Sequence, residues 1–111
     1  MPEKKYHCPV EVTLDAIGGK WKCVILWWLS QGTYRFSDLQ RSIPGITQKV
    51  LTERLRELEA DGLIYRHVYP EKPPRVEYSL TPDGESIKPI TDLMCAWGKA
   101  RQPEYPFAYR S

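Results

Sequence analysis

At 111 residues, with 41% hydrophobic and 27% charged side chains, the chain has the size and balance of one globular domain with a modest core. A formal charge of +2 is too small to argue for nucleic acid in bulk, so any such contact has to rest on where individual cations stand. The longest apolar run, Cys23 to Leu29, is too short to span a bilayer, and no apolar segment follows the charged N-terminus. A cytoplasmic chain without a membrane partner is therefore expected. The three cysteines, Cys8, Cys23 and Cys95, form neither a secreted disulfide framework nor a CxxC pair, so no metal and no cofactor are expected.

Residues 1–7 are polar and expected to fray. Cys8-Pro9 starts a short helix, with Pro9 preorganised at the first helical position and Cys8 at the N-cap. Val10, Leu14 and Ile17 give it an apolar face, and Gly18-Gly19 ends it. A thiol at a helix N-terminus faces unpaired amides, which favours a reactive thiolate. The other reading of Cys8 is a small residue tucked beside the core. Cys23 and Cys95 sit in apolar helical runs and read as core.

Lys20-Trp21-Lys22 opens a second helix that runs to about Ser30 and is apolar nearly all round, as a centrally packed helix is. Its two lysines stand at the end the helix dipole disfavours. Either they converge with the free amides on a phosphate, or they are simply solvated. After the turn Gln31-Gly32-Thr33, the segment Tyr34-Arg35-Phe36 reads as a short strand that pairs with a later hairpin.

Ser37 to Arg75 is the organising stretch. Ser37 and Gln40 have the spacing of a capping box, Leu39 and Ile43 share a face, and Pro44-Gly45 stops the helix. Thr47 is placed to cap a second, longer helix whose Leu51, Leu55 and Leu58 turn inward and which Gly62 ends. Two helices joined by a short turn fit a helix-turn-helix or a plain αα-hairpin. Residues 63–69, the proline-rich segment 70–74, and the alternating Arg75 to Leu80 then read as a hairpin. Together these give a mostly α fold with a small β-wing: a winged helix-turn-helix.

Thr81-Pro82 is another cap followed by a proline, opening a helix predicted to run to about Lys99 with a kink at Pro89. Its apolar positions Ile87, Ile90, Leu93, Met94 and Trp97 exceed what one protomer buries. A homodimer is expected in which Val10 and Leu14 of the first helix meet Ile90, Leu93, Met94 and Trp97 of the last; the alternative is that the stripe closes the monomer core. Residues 1–98 are assigned to the DNA-binding and dimerisation domain and 99–111 to a tail. From Arg101 that tail is not helical, with aromatic Tyr105, Phe107 and Tyr109 that pack on a neighbour or stay disordered.

Four segments in this order resemble the HxlR family of bacterial winged-helix regulators, relatives of the MarR group. They are Cys8-Pro9-Val10-Glu11 with Leu14-Asp15; Ile17-Gly18-Gly19-Lys20-Trp21; residues 46–64; and residues 74–84. The resemblance spans residues 8–98. It implies a homodimeric transcription regulator, usually a repressor, which binds an inverted repeat and dimerises through its first and last helices. Some members sense electrophiles or oxidants through the cysteine matching Cys8.

On this reading the helix from Thr47 enters the major groove of double-stranded DNA. Thr47, Gln48, Lys49, Thr52 and Arg56 supply base and phosphate contacts, while Lys20, Lys22, Lys72 and Arg75 grip phosphates. The two recognition helices of a dimer would stand about 34 Å apart. An enzyme is not expected, since His7 and His67 are isolated and no carboxylate pair or nucleophile motif stands out. The rival is a winged helix used as a protein-interaction module, against which the polar face of the second helix argues. A small-molecule effector pocket between the dimer helices would be lined by Trp21, Trp27, Trp28 or Trp97, with an oxidant as the other candidate effector.

Overall fold

The computed structural model describes residues 5–107. In chain order the elements are α1 (Pro9–Ile17), α2 (Lys22–Leu29), β1 (Tyr34–Arg35), α3 (Phe36–Ser42), α4 (Gln48–Ala60), β2 (Ile64–Tyr69), β3 (Arg75–Leu80), α5 (Pro82–Glu85) and α6 (Lys88–Arg101). The strands form an antiparallel sheet in the order β1-β3-β2. Tyr34 stands opposite Tyr78, and the hairpin runs in register from Ile64 opposite Leu80 to Tyr69 opposite Arg75. This is the winged helix-turn-helix expected from the sequence.

One core holds the elements together. Ile25, Leu26 and Leu29 of α2 pack with Leu39 of α3 and Ile43 at its end, with Leu51, Leu55 and Leu58 of α4, and with Ile64, Tyr78 and Leu80 of the sheet. Each fully buried leucine here contributes about 1.5–3 kcal/mol. The inward face of α4 is thereby fixed, and with it the outward face.

The caps of α4 form as the sequence requires. Thr47 Oγ1 accepts from the amide of Val50 at 3.1 Å, and Gly62 adopts a φ of +75° just past the helix end. The expected Ser37–Gln40 box does not form. Arg35, not Ser37, is the residue before α3, and it has no side-chain cap. Pairing of Arg35 with Glu77 in the sheet holds Arg35 extended, so the helix begins where the strand lets go, at Phe36.

Nor is there one kinked C-terminal helix. Thr81 caps α5, its Oγ1 accepting from the amide of Gly84 at 3.0 Å, but α5 stops at Glu85 and α6 begins at Lys88. Pro89 lacks the amide that would bond back to Glu85 and its ring would strike that carbonyl, so the chain breaks before it and Pro89 sits in the first turn of a new helix. The far end also differs from the expected partition at residue 98. Helix α6 continues through Gly98 to Arg101, and the segment beyond folds back until the Phe107 ring lies 4.9 Å from that of Tyr105. Tyr109 and residues 1–4 lie outside the described residues.

Helix α6 meets α2 through its small side, on which Thr91 is buried. Its large side faces out: Leu93 is 71% and Trp97 67% exposed, with Ile90 and Met94 also exposed. Helix α1 is held by Ile17 at its C-terminal end, while Val10 and Leu14 are exposed. The expectation that Cys23 and Cys95 are core residues holds in part for Cys23, which packs partly buried against the core, and fails for Cys95. Both are half-buried and line a surface groove between α2 and α6.

Candidate nucleic-acid interface

Because Leu51, Leu55 and Leu58 commit one side of α4 to the core, Thr47, Gln48, Lys49 and Arg56 are presented to solvent, with Thr52 half-buried between them. The Thr52 hydroxyl donates to the Gln48 carbonyl at 2.8 Å and keeps its lone pairs toward the outside. Gln48, Thr52, Arg56 and Glu59 recur at helical spacing along one wall of an open groove of about 540 Å³ between α4 and the wing. Phe36, Val76 and Tyr78 also line it, and Arg66 of β2 contributes to the opposite wall.

Arg66 is the functional candidate absent from the sequence assignment. It lies on the same strand face as buried Ile64, opposite Tyr78 in register. An arginine at an inward position of a short strand was the available signal: it passes the edge of the core and emerges over α4. Among the described residues, neither Arg56 nor Arg66 is held in an ion pair.

Two of the cations expected to grip phosphates have other attachments. Lys22, its side chain only 14% exposed, pairs with Glu57 of α4 at 3.1 Å, and Glu57 also receives Arg54. It joins α2 to the back of α4 and does not stand with Gln48 and Arg56. Arg75 lies between Glu71 at 3.2 Å and Glu77 at 3.8 Å, with its guanidinium stacked 3.9 Å above the Tyr69 ring. Its charge is spent bracing the base of the wing. Lys72 at the wing tip is exposed. Lys20 is also exposed, its ammonium over the Trp21 ring, whose edge approaches Gly45 in the turn between α3 and α4.

Cys8 occupies the N-cap of α1 and is exposed. The Glu11 carboxylate accepts from the amide of Cys8 at 3.3 Å and from that of His7. Those two amides stand at and before the N-cap, so the carboxylate leaves the first-turn amides to the Cys8 side chain. His67 stacks on Tyr69 on the exposed side of the wing. Trp27 and Trp28 line the α2–α6 groove, but Trp21 and Trp97 do not: Trp21 turns toward Gly45, and Trp97 points outward under Arg101.

A capped amphipathic helix presented outward from a helix-turn-helix, walled by a β-wing and lined with uncommitted arginine, glutamine and threonine, defines the class of winged helix-turn-helix transcription regulators. The chain belongs to the HxlR-like helix-turn-helix family, whose family model matches residues 16–105. It is 58% identical over 98 residues to the HTH-type transcriptional regulator YtcD of Bacillus subtilis, covering 88% of this chain and 78% of that protein. Over 99 residues it is 57% identical to an HTH-type transcriptional regulator of Methanothermobacter thermautotrophicus, covering 89% and 76%. Among solved structures, the redox regulator HypR in its oxidised form superposes with a TM-score of 0.81 at 52% identity, covering 84% of this chain and 96% of that one. The family match begins after Cys8 and continues past residue 98, so the fold-back segment to residue 105 is part of the family's unit.

Proposed function

We propose that this regulator acts as a homodimer that binds an inverted-repeat operator in double-stranded DNA and represses transcription in the cytoplasm, with no enzymatic activity. The observation that carries the reading is the groove between α4 and the wing, in which Gln48, Thr52, Arg56 and Arg66 face one opening. Glutamine pairs bidentately with adenine and arginine with guanine, so this wall has the donors that base edges require. Lys20, Lys49 and Lys72 supply phosphate contacts around it, as does Arg66 from the facing wall. The outward Ile90, Leu93, Met94 and Trp97, with Val10 and Leu14, form an apolar surface larger than scattered exposure accounts for, which a second copy covers.

Cys8 is the oxidant-responsive residue on this reading. It is exposed at the start of a helix whose apolar residues belong to the dimer surface, and a similar protein is described as a redox regulator solved in an oxidised form. Oxidation there displaces α1 and with it the spacing of the two reading helices.

The test is a titration of the purified protein against a labelled fragment of its own upstream DNA at several salt concentrations, with and without peroxide. Sequence-selective binding that weakens steeply with salt is expected, because phosphate contacts release counterions. Release by peroxide is expected in the wild type and not in Cys8→Ser. Equal affinity for random DNA at every salt concentration would move the protein to the interaction-module class. Binding indifferent to peroxide would make Cys8 structural.

A further inference from the structure

Between α2 and α6 lies an open groove of about 480 Å³, apolar for most of its surface and lined by Trp27, Trp28 and Phe107. Its sulfur content is unusual. Cys23 lines it from α2 and Met94 and Cys95 from α6, so both half-buried thiols of the chain and one thioether line the same groove. The Cys23 Sγ lies 3.5 Å from the Met94 Sδ. Two sulfurs on one ion in trigonal coordination, with metal–sulfur bonds of roughly 2.3 Å, stand roughly 4.0 Å apart. The pair is therefore already close to a chelating separation.

We propose that Cys23, Met94 and Cys95 bind a soft monovalent d10 metal ion, Cu(I) in class, in trigonal sulfur coordination. This stands independently of the DNA-binding reading. The donor set is selective by softness: thiolate and thioether favour Cu(I), while the hard cations that prefer oxygen find no carboxylate in the groove lining. Among the described residues no three His, Cys, Asp or Glu side chains could hold a metal ion together, so a third donor here has to be the methionine. The sequence offered no spacing to reveal it, since Cys23 and Met94 are 71 positions apart.

Binding is proton exchange without a redox step. Cu(I) replaces the protons of the Cys23 and Cys95 thiols, two protons pass to solvent, and the Met94 thioether donates a lone pair. The resulting centre carries one net negative charge. Lys20 and Lys99 line the same groove and offset it, and the indoles of Trp27 and Trp28 give it apolar walls. The ion would clamp α6 to α2 on the side of α6 next to its exposed Leu93 and Trp97.

The experiment loads the full-length protein anaerobically with Cu(I) supplied as its acetonitrile complex, against a chromophoric Cu(I) chelator, and reads the coordination shell by X-ray absorption. One ion per chain in an all-sulfur shell is expected. Cys8→Ser keeps the ion, Cys23→Ser and Cys95→Ser lose it, and Met94→Leu loses the third sulfur from the shell and yields the ion to less chelator. Retention of the ion by folded Cys23→Ser or Cys95→Ser protein overturns the proposal, as does its loss in Cys8→Ser. Should the serine variants misfold by circular dichroism, the wild-type shell and Met94→Leu decide: nitrogen or oxygen in the first, or no change in the second, overturns the assignment.

Discussion

The Lys22 ammonium lies 3.1 Å from the Glu57 carboxylate, and this pair joins the central helix α2 to the back of α4. A lysine that the sequence offered to DNA is thus a strut for the helix proposed to read it. Replacing it with methionine keeps the aliphatic stem and removes the charge. Glu57 retains Arg54, so Lys22→Met is expected to lower stability by about 1 kcal/mol, the scale of a partly exposed pair. Urea denaturation measures that loss. Operator affinity of the folded protein should hold, and a fall in affinity accompanied by a salt slope lowered by about 1 would count against the strut assignment.

The arginines of the interface separate by their surroundings. Arg56→Ala is expected to cost about 1–3 kcal/mol of operator binding and to relax discrimination at one base pair. Arg66→Ala should weaken binding to all sequences and lower the slope of log K against log salt by about 1, the signature of one lost phosphate contact. Arg75 is already neutralised by Glu71 and Glu77, so Arg75→Ala should loosen the wing and leave that slope unchanged. Fluorescence anisotropy across a salt series distinguishes the three.

Leu93 is the most exposed of the outward residues on α6. Leu93→Glu puts a charge at the centre of the proposed seam, where its desolvation has no compensating partner. Sedimentation should give a monomer that keeps its circular dichroism spectrum and has lost affinity for a two-half-site operator. A dimer that survives this substitution would place the seam elsewhere.

Thr81 and Gly84 meet the chain just after α4. The buried Thr81 hydroxyl donates to the Gly62 carbonyl at 2.6 Å and accepts from the Gly84 amide, so Thr81→Val strands both and should cost about 1–3 kcal/mol. A Cβ on Gly84 would stand 2.0 Å from the Leu63 carbonyl oxygen, and backbone has to shift to admit it. Gly84→Ala is expected to cost about 1–3 kcal/mol by overpacking. Both are read from denaturant midpoints, and a neutral Gly84→Ala would contradict the close approach.

Local chemistry was legible in the sequence and long-range pairing was not. Thr47, Gly62 and Thr81 announce helix ends because capping depends on neighbours a few positions away, and the alternation of Val76, Tyr78 and Leu80 set the register of the wing. The fate of Lys22 depends on Glu57, which folding brings up from another helix, whereas the partners of Arg75, Glu71 and Glu77, are near it in the chain. No pattern of charges in the chain distinguishes a cation that is paired from one that is free. Pro89 reads as a kink because the apolar stripe that marks the helix continues across the break. Cys23 and Cys95 looked like core because apolar runs mark helices without marking which side of them is covered.

Thr81 also ties a loop of chain shut. Its amide reaches the Leu63 carbonyl at 3.1 Å and its hydroxyl the Gly62 carbonyl, so the two strands of the wing leave and return at one point, the foot of α4. A ring closed in this way has no hinge at its base. On the proposed function, α4 and the wing approach a duplex as a single stiff fork, and a tilt imposed on either tine from the direction of α6 is a tilt of both.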